Sequence, residues 1–436
     1  MTASPQSVAR QGLASQMARL RGSRLIRQNL VLFAGGLIAG VGGFVYHALA
    51  ARALGPQGYG EVASLVAIFT VGATGNQILI LVLARYAANL EVEGRRSAIR
   101  YAIGRSTRLL LLPGAPFILL AVALSFPASR FLHIPTAVPL MWTGVGIVAY
   151  WYLAVPRGVL QGMQRFPALS ANLASELMVR TGCLVLLLGL GLSVTGAAVA
   201  LLAGAAYGFV VGLYTVRDVL ALAPERVRLR SMARFALTAA AGTVGVILLY
   251  NVDVVLAKHY LSPHDAGIYG GLNKIGFIVF ALTLSVSQVL FPRVVEAVAS
   301  QRHPGRLLLL SAGLISFLGL GAVAVFGVAP GLVVRVLFGP AFAAARPYVL
   351  FMGLIGLALS LDNLLVQFFM AVHDRVFVPL LGSACVLQAT LIVLFHATIG
   401  QVVADVLSTV TILLLALALR FLLLLPHLRP EMVAED

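Results

Sequence analysis

Ionisable side chains interrupt several long apolar runs of this 436-residue chain, and their types define the chemistry open to it. Arg180 lies near the middle of one run with Glu176 four residues before it, a spacing that puts both on one face of a helix. Lys274 follows Asn273 early in another run, Asp362 precedes Asn363 within a third, Asp405 sits in a fourth, and Asp253 stands near the end of a fifth. Arg52, Glu61 and Lys258 gather at the ends of such runs. An ionisable group at the centre of a bilayer costs about 2.5–3.5 kcal/mol on insertion scales and marks a functional position by default. Buried cations can hold an anion, and a guanidinium does so with a bidentate fork. Buried carboxylates can take up a proton or sodium. No catalytic residue or cofactor is expected. His47 and His396 have no second ligand at a metal spacing, and Cys183 and Cys385 both lie in apolar runs, so no metal site or disulfide framework follows.

Each charge also has a plainer reading. Glu176 and Arg180 can simply neutralise one another so that their helix inserts. Arg52, Glu61 and Lys258 can be anchors whose heads reach the interface. Asp253, Asp362 and Asp405 can be hydrogen-bond partners between helices. Arg85, Arg157, Arg165 and Arg293 can serve topology alone. Trp142, Tyr150, Trp151 and Tyr152 read as an interfacial belt.

The elements that must carry these residues are membrane-spanning helices. The chain is 60% hydrophobic and 11% charged, where a soluble domain has about 25% charged residues. Its mean hydropathy is +0.98. Runs long enough to cross a hydrocarbon core, about 20 residues, lie near 29–50, 61–84, 107–126, 137–156, 168–191 and 195–216, then near 235–257, 266–290, 306–328, 346–370, 376–396 and 399–425. This gives a basic tail at 1–28, a six-helix lobe at 29–216, a basic linker at 217–234, a second six-helix lobe at 235–425 and a tail at 426–436. With both termini in the cytoplasm, 24 of the 31 Lys and Arg fall on the inner side and 5 on the outer. That split accounts for most of the net charge of +16 without nucleic acid as a partner.

The two halves echo one another. Leu54, Pro56, Gly58, Tyr59 and Gly60 match Leu261, Pro263, Gly267, Tyr269 and Gly270 when short gaps are allowed. With an even number of spans in each half, both insert the same way up, and a pseudo-twofold axis runs along the membrane normal. Pro113 and Pro116 are placed to bend the third span, since each removes a backbone donor.

Arg52-Ala-Leu-Gly-Pro-Gln-Gly-Tyr-Gly60, Arg157-Gly-Val-Leu-Gln-Gly162, Asn251-Val-Asp253, Ala266-Gly-Ile-Tyr269 and Leu337-Phe-Gly-Pro-Ala-Phe342 stand in order along the chain. Together they resemble the bacterial polysaccharide (O-antigen type) flippases of the multidrug/oligosaccharidyl-lipid/polysaccharide exporter superfamily, over about Asn29 to Leu425. The resemblance implies an all-α integral membrane protein whose two six-helix lobes form a V. It implies a transporter, not an enzyme, that moves a polyprenyl-pyrophosphate-linked oligosaccharide from the cytoplasmic to the outer leaflet of the bacterial inner membrane by alternating access. Its partners would be the lipid-linked glycan, the bilayer, a coupling ion (H+ or Na+) and glycan polymerase machinery. Under that reading Arg52, Lys274 and Arg180 are stations for the pyrophosphate, and Arg85 and Arg157 capture it at the inner mouth. Glu61, Glu176, Asp253, Asp362 and Asp405 are candidates for ion coupling. A drug or cation antiporter of the same superfamily is the nearest alternative, although such a cavity would be lined with acids and aromatics. A lipid-linked peptidoglycan-precursor flippase would be expected to have fourteen spans. A membrane polysaccharide polymerase or glycosyltransferase would be expected to carry a long outer loop with catalytic acids or basic residues, and the outer loops here are short.

Overall fold

The computed structural model describes residues 40, 42–227, 233–299 and 304–425. The tails expected at 1–28 and 426–436 lie outside the described residues, as do 29–39 of the first span and 228–232 of the linker. Every regular element among the described residues is a helix.

Eleven apolar helical stretches are long enough to cross a membrane, and the first, Gly42–Val92, runs for 51 residues. At 1.5 Å per residue that is roughly 77 Å, far beyond a hydrocarbon core of about 30 Å. The chain must turn back inside it, and it does so at Gly55, whose φ of +64° suits a residue without a Cβ. The hydroxyl of Tyr59 and Nδ1 of His47 are hydrogen-bonded at 3.1 Å, whereas twelve residues of unbroken helix would separate them by roughly 18 Å. The first stretch therefore belongs to two crossings, the end of one at residues 42–54 and the next at 56–92, which makes twelve in all.

In chain order, α1 (residues 42–72) holds this corner and continues after a turn at 73–74 into α2 (Gly75–Val92). The third crossing is α3 (Arg96–Leu109) with α4 (Leu111–Phe131), and α5 (Val138–Gly162), α6 (Phe166–Gly189) and α7 (Ser193–Thr215) complete the first lobe. Pro113 sits in the first turn of α4, where its missing N–H costs nothing. The short α8 (Arg217–Leu220) opens the linker. The second lobe comprises α9 (Ala233–Tyr260), α10 (Pro263–Ala299), α11 (Pro304–Val328), the short α12 (Pro330–Leu337) with a 3-10 segment (Pro340–Tyr348), α13 (Val349–Ala371), α14 (Phe377–Leu394) and α15 (Ile399–Leu424).

The lobes are built alike. In the first, α5 packs against α2, α4 and α7; in the second, α13 packs against α10, α11 and α15. Both central helices are buried along nearly their whole length. The matched sequence motifs meet where the lobes touch: a Cβ on Gly267 would lie 1.6 Å from the Pro56 carbonyl oxygen, and one on Gly60 would lie 2.9 Å from the Gly267 nitrogen. Only two glycines allow the backbones of α1 and α10 to approach so closely. Twelve helices thus form two six-helix lobes joined as a V whose tight contact is at this corner end.

The described part of the linker is held to the first lobe. Arg165 forks onto Asp218, with one bond of 2.8 Å, and this guanidinium holds the Asp218 carboxyl down at about 2. Arg95 pairs with Glu225, and Arg100 donates to the Leu220 carbonyl at 3.0 Å.

Candidate transport site

Each lobe holds a hydrogen-bonded group of interior charged and polar side chains. In the first lobe, Asn172, Glu176 and Arg180 stand every fourth residue along one face of α6. Arg157 of α5 points into this face, donating from Nε to Asn172 Oδ1 at 2.8 Å and reaching Glu176 Oε2 at 3.5 Å. The other Glu176 oxygen accepts from Arg180. Asn172 in turn donates to the Gly208 carbonyl at 2.8 Å. Room for these groups comes from Gly204, Gly208 and Gly212 on the facing side of α7, where an added Cβ would meet Arg180, Glu176 or Asn172. One carboxylate therefore serves two guanidiniums, and the cluster keeps one positive charge in excess. Arg157 and Glu176 are sealed at 2% exposure, whereas Arg180 is partly open, has an unpaired Nε, and stands 5.9 Å from the Phe69 ring of α1.

In the second lobe, Asp253 of α9 accepts from the Tyr269 hydroxyl at 2.5 Å and from Asn273 Nδ2 at 3.1 Å, both on α10. Tyr250 and Asn273 exchange hydrogen bonds through their carbonyls at 2.7 and 3.1 Å. Asp253 Oδ1 and Asn273 Oδ1 have no partner. Beside them lies a cavity of about 10 Å³ lined also by Gly276, Met352, Gly356 and Val406, close to the space one water needs. Lys274, buried next to Asn273, has no salt bridge among the described residues, and its ammonium lies 5.3 Å from the Tyr250 ring. Asp362 on α13 is 1% exposed and neither carboxylate oxygen has a partner. Asp405 on α15 is buried with Oδ2 unpaired. An ionised carboxylate in that state costs several kcal/mol unless a proton or another cation joins it.

His47 of α1, between the lobes, is within electrostatic reach of both Lys274 and Arg180. Of the named cations, Arg157 and Arg180 share Glu176 in the first lobe, and Lys274 lies in the second. Arg157 is not at a membrane mouth; it is locked inside the first lobe, so its expected role in capture does not fit its position. Arg85 is exposed on α2. Arg52 is at the corner end, bonded to the Val336 carbonyl at 2.5 Å. Glu61 and Lys258 are both largely buried, and Glu61 lines a cavity of about 350 Å³ at the corner end with Gln57, Thr136 and Ser193. Trp151 is no belt residue either: its indole donates to the Gly72 carbonyl at 2.9 Å, just before the turn that breaks the second crossing. Among the described residues no group of three His, Cys, Asp or Glu could hold a metal ion. Asn172, Tyr269 and His47 were missed as members of the site. The i, i+4 spacing that joins Glu176 to Arg180 also reaches back to Asn172 and could have found it.

The fold is similar to solved transporters. An inward-facing multidrug resistance MATE family transporter of the MOP superfamily aligns with a TM-score of 0.74 at 14% identity, over 92% of this chain and 98% of that one. The outward-facing conformation of such a transporter aligns at 0.64 and 14%, over 92% and 96%. A MOP superfamily transporter from Pyrococcus furiosus, described by the reverse polarity of its binding pocket, aligns at 0.59 and 14%, over 90% and 96%. No curated protein sequence matches the chain. The sequence model of the family described as "Polysaccharide biosynthesis protein" matches residues 25–298, more than half of the chain. This multi-pass membrane protein therefore belongs to the polysaccharide biosynthesis protein family, and its fold is similar to that of solved MOP superfamily transporters.

Proposed function

We propose that the protein flips a polyprenyl-pyrophosphate-linked oligosaccharide from the cytoplasmic to the outer leaflet of a bacterial inner membrane. The observation that carries this reading is a pair of buried cations, one per lobe: Arg180, which shares the single Glu176 carboxylate with Arg157, and Lys274, which forms no salt bridge among the described residues. A diphosphate crossing a low-dielectric interior needs positive charge along its route. Arg180 is oriented for this by Glu176, which is itself fixed by Arg157; Glu176 is then a positioning residue and not an ion site. The corner end faces outward and both termini lie in the cytoplasm, which agrees with the arginine distribution. The closer fit to an inward-facing relative supports a state closed at the corner end. Asp253, with its unpaired oxygen on the ≈10 Å³ cavity, and the unpartnered Asp362 are the places for the coupling cation, H+ or Na+.

The test is complementation of a flippase-deficient strain, read as surface glycan. Arg180→Gln and Lys274→Gln are expected to abolish it while the protein still reaches the membrane. Full complementation by both variants overturns the reading. The relatives described as multidrug transporters make a cation antiporter the competing function, and efflux of a lipophilic cation dye by proteoliposomes, without glycan complementation, would favour it.

A further inference from the structure

The two lobes differ in one connection. Between α4 and α5 the first lobe has only residues 132–137, whereas between α11 and α13 the second lobe has residues 329–348, which hold α12 and the 3-10 segment. The Leu337-Phe-Gly-Pro-Ala-Phe342 motif lies at the centre of this longer piece and has no part in the charge clusters. Gly339 turns it with φ +92°, a conformation that a side chain disfavours. The turn sends Phe338 and Phe342 to the same place, and both are fully buried.

That place belongs to the other lobe. Tyr59 of α1 packs at 5.8 Å from the Phe338 ring and 5.7 Å from the Phe342 ring, and Phe44 of α1 lies 5.9 Å from Phe338. Above them, the Arg52 guanidinium donates to the Val336 carbonyl at 2.5 Å. Val336 is in the last turn of α12, where carbonyls lack helical partners and the helix dipole favours a cation. A second cross-lobe contact flanks the first: the His259 ring stacks on Phe131 at 3.8 Å and 9°, and its Nδ1 donates to the Phe131 carbonyl at 2.6 Å.

We propose that residues 329–348 are a strap that holds the corner end shut, with Phe338 and Phe342 as its plug and Arg52 as its catch. The segment is continuous with α11 and α13 and packs on α10 and α13, so it travels with the second lobe. Opening this end must therefore pull Tyr59 and Phe44 off the plug and break the Arg52 bond. The strap rests on the lobes rocking, which is part of the reading above, and on nothing about the cargo.

The test is a distance measurement on purified protein in lipid nanodiscs without substrate. Spin labels go on Gln57→Cys and His264→Cys, exposed corner residues of the two lobes, with Cys183 and Cys385 replaced by serine. The otherwise unchanged protein should give a short-distance population. Arg52→Ala and Phe338→Ala should each shift weight to a longer distance, with the long-to-short ratio rising roughly tenfold for Phe338→Ala, which loses two aromatic contacts across the lobes. Arg335→Ala, an exposed arginine of the same helix, should change nothing. Should Phe338→Ala fail to fold, Arg52→Ala decides alone, since its side chain is at the surface. An unchanged distribution in Arg52→Ala overturns the proposal, and so does an equal shift in Arg335→Ala. Failure of the flippase reading would appear in the glycan assay and leave these distances untouched.

Discussion

Glu176 is the residue on which the first lobe's chemistry turns, because two buried guanidiniums share it. Removing one partner of a buried ion pair leaves an uncompensated charge and costs about 3–5 kcal/mol. Glu176→Gln should therefore lower the melting temperature in detergent sharply. Arg180→Gln should lower it far less, since Arg157 keeps both Glu176 and Asn172, yet it should abolish transport. Equal loss of stability in the two variants would make Arg180 a structural member of the cluster. Asp362 poses the opposite case, a carboxylate with neither oxygen satisfied at 1% exposure. Asp362→Asn keeps the shape and removes the proton-binding group, so the melting temperature should hold while transport loses its response to an imposed pH gradient. A variant that responds to the gradient like the unmodified protein would remove Asp362 from coupling.

At the scale of elements, much was legible because hydropathy and turn chemistry are local. The crossings that the described residues contain, the corner at Gly55 and the early charges of α10 follow from runs, glycines and prolines in order. The failures share one cause. The fourth span was expected to end at 156, where Arg157 stops the apolar run, but the helix continues to Gly162 with Arg157 turned inward. Whether an arginine ends a span or is buried in it depends on a partner on another helix, here Asn172 and Glu176, and no local pattern carries that. The contact of Phe338 and Phe342 with Tyr59 was hidden for the same reason, since it joins residues far apart in the chain. Two element-level outcomes follow. Gly204→Ala on α7 would put a Cβ 2.9 Å from Arg180 Cβ and 3.1 Å from Glu176 Oε1, so it should weaken transport by displacing the cluster, while Gly43→Ala, with nothing within 4 Å, should be harmless to activity and stability. Asp218 gives a pH dependence. Its folded pKa, about 2, lies below the ordinary value of 3.8 because Arg165 holds the charged form, so its contribution is full above about pH 5 and fades as pH falls towards 2. The pair is largely open to solvent, so the size is about 0.2–1 kcal/mol. The melting-temperature difference between the unmodified protein and Asp218→Asn should be level from neutral pH to about 5 and shrink below that.

For the whole molecule, the lobes cannot both stay sealed at the corner end and deliver cargo there. Their contact at that end is extensive: backbone on backbone at Gly60 and Gly267, the aromatic plug at Tyr59, and the Phe131–His259 stack. Side chains in such a seam have two discrete arrangements, packed or parted, which suits a rocking motion better than gradual deformation. Cysteines at positions 131 and 259, whose rings now stack at 3.8 Å, would tie the lobes when oxidised or bridged by a short bifunctional reagent. If the protein works as proposed, the tied form should take up cargo from the cytoplasmic side but release none to the outer leaflet, and reduction of the disulfide should restore transport. Transport that continues through the tied protein would mean that cargo passes by another route, along the outside of the lobes, and the buried cations Arg180 and Lys274 would then need a different purpose.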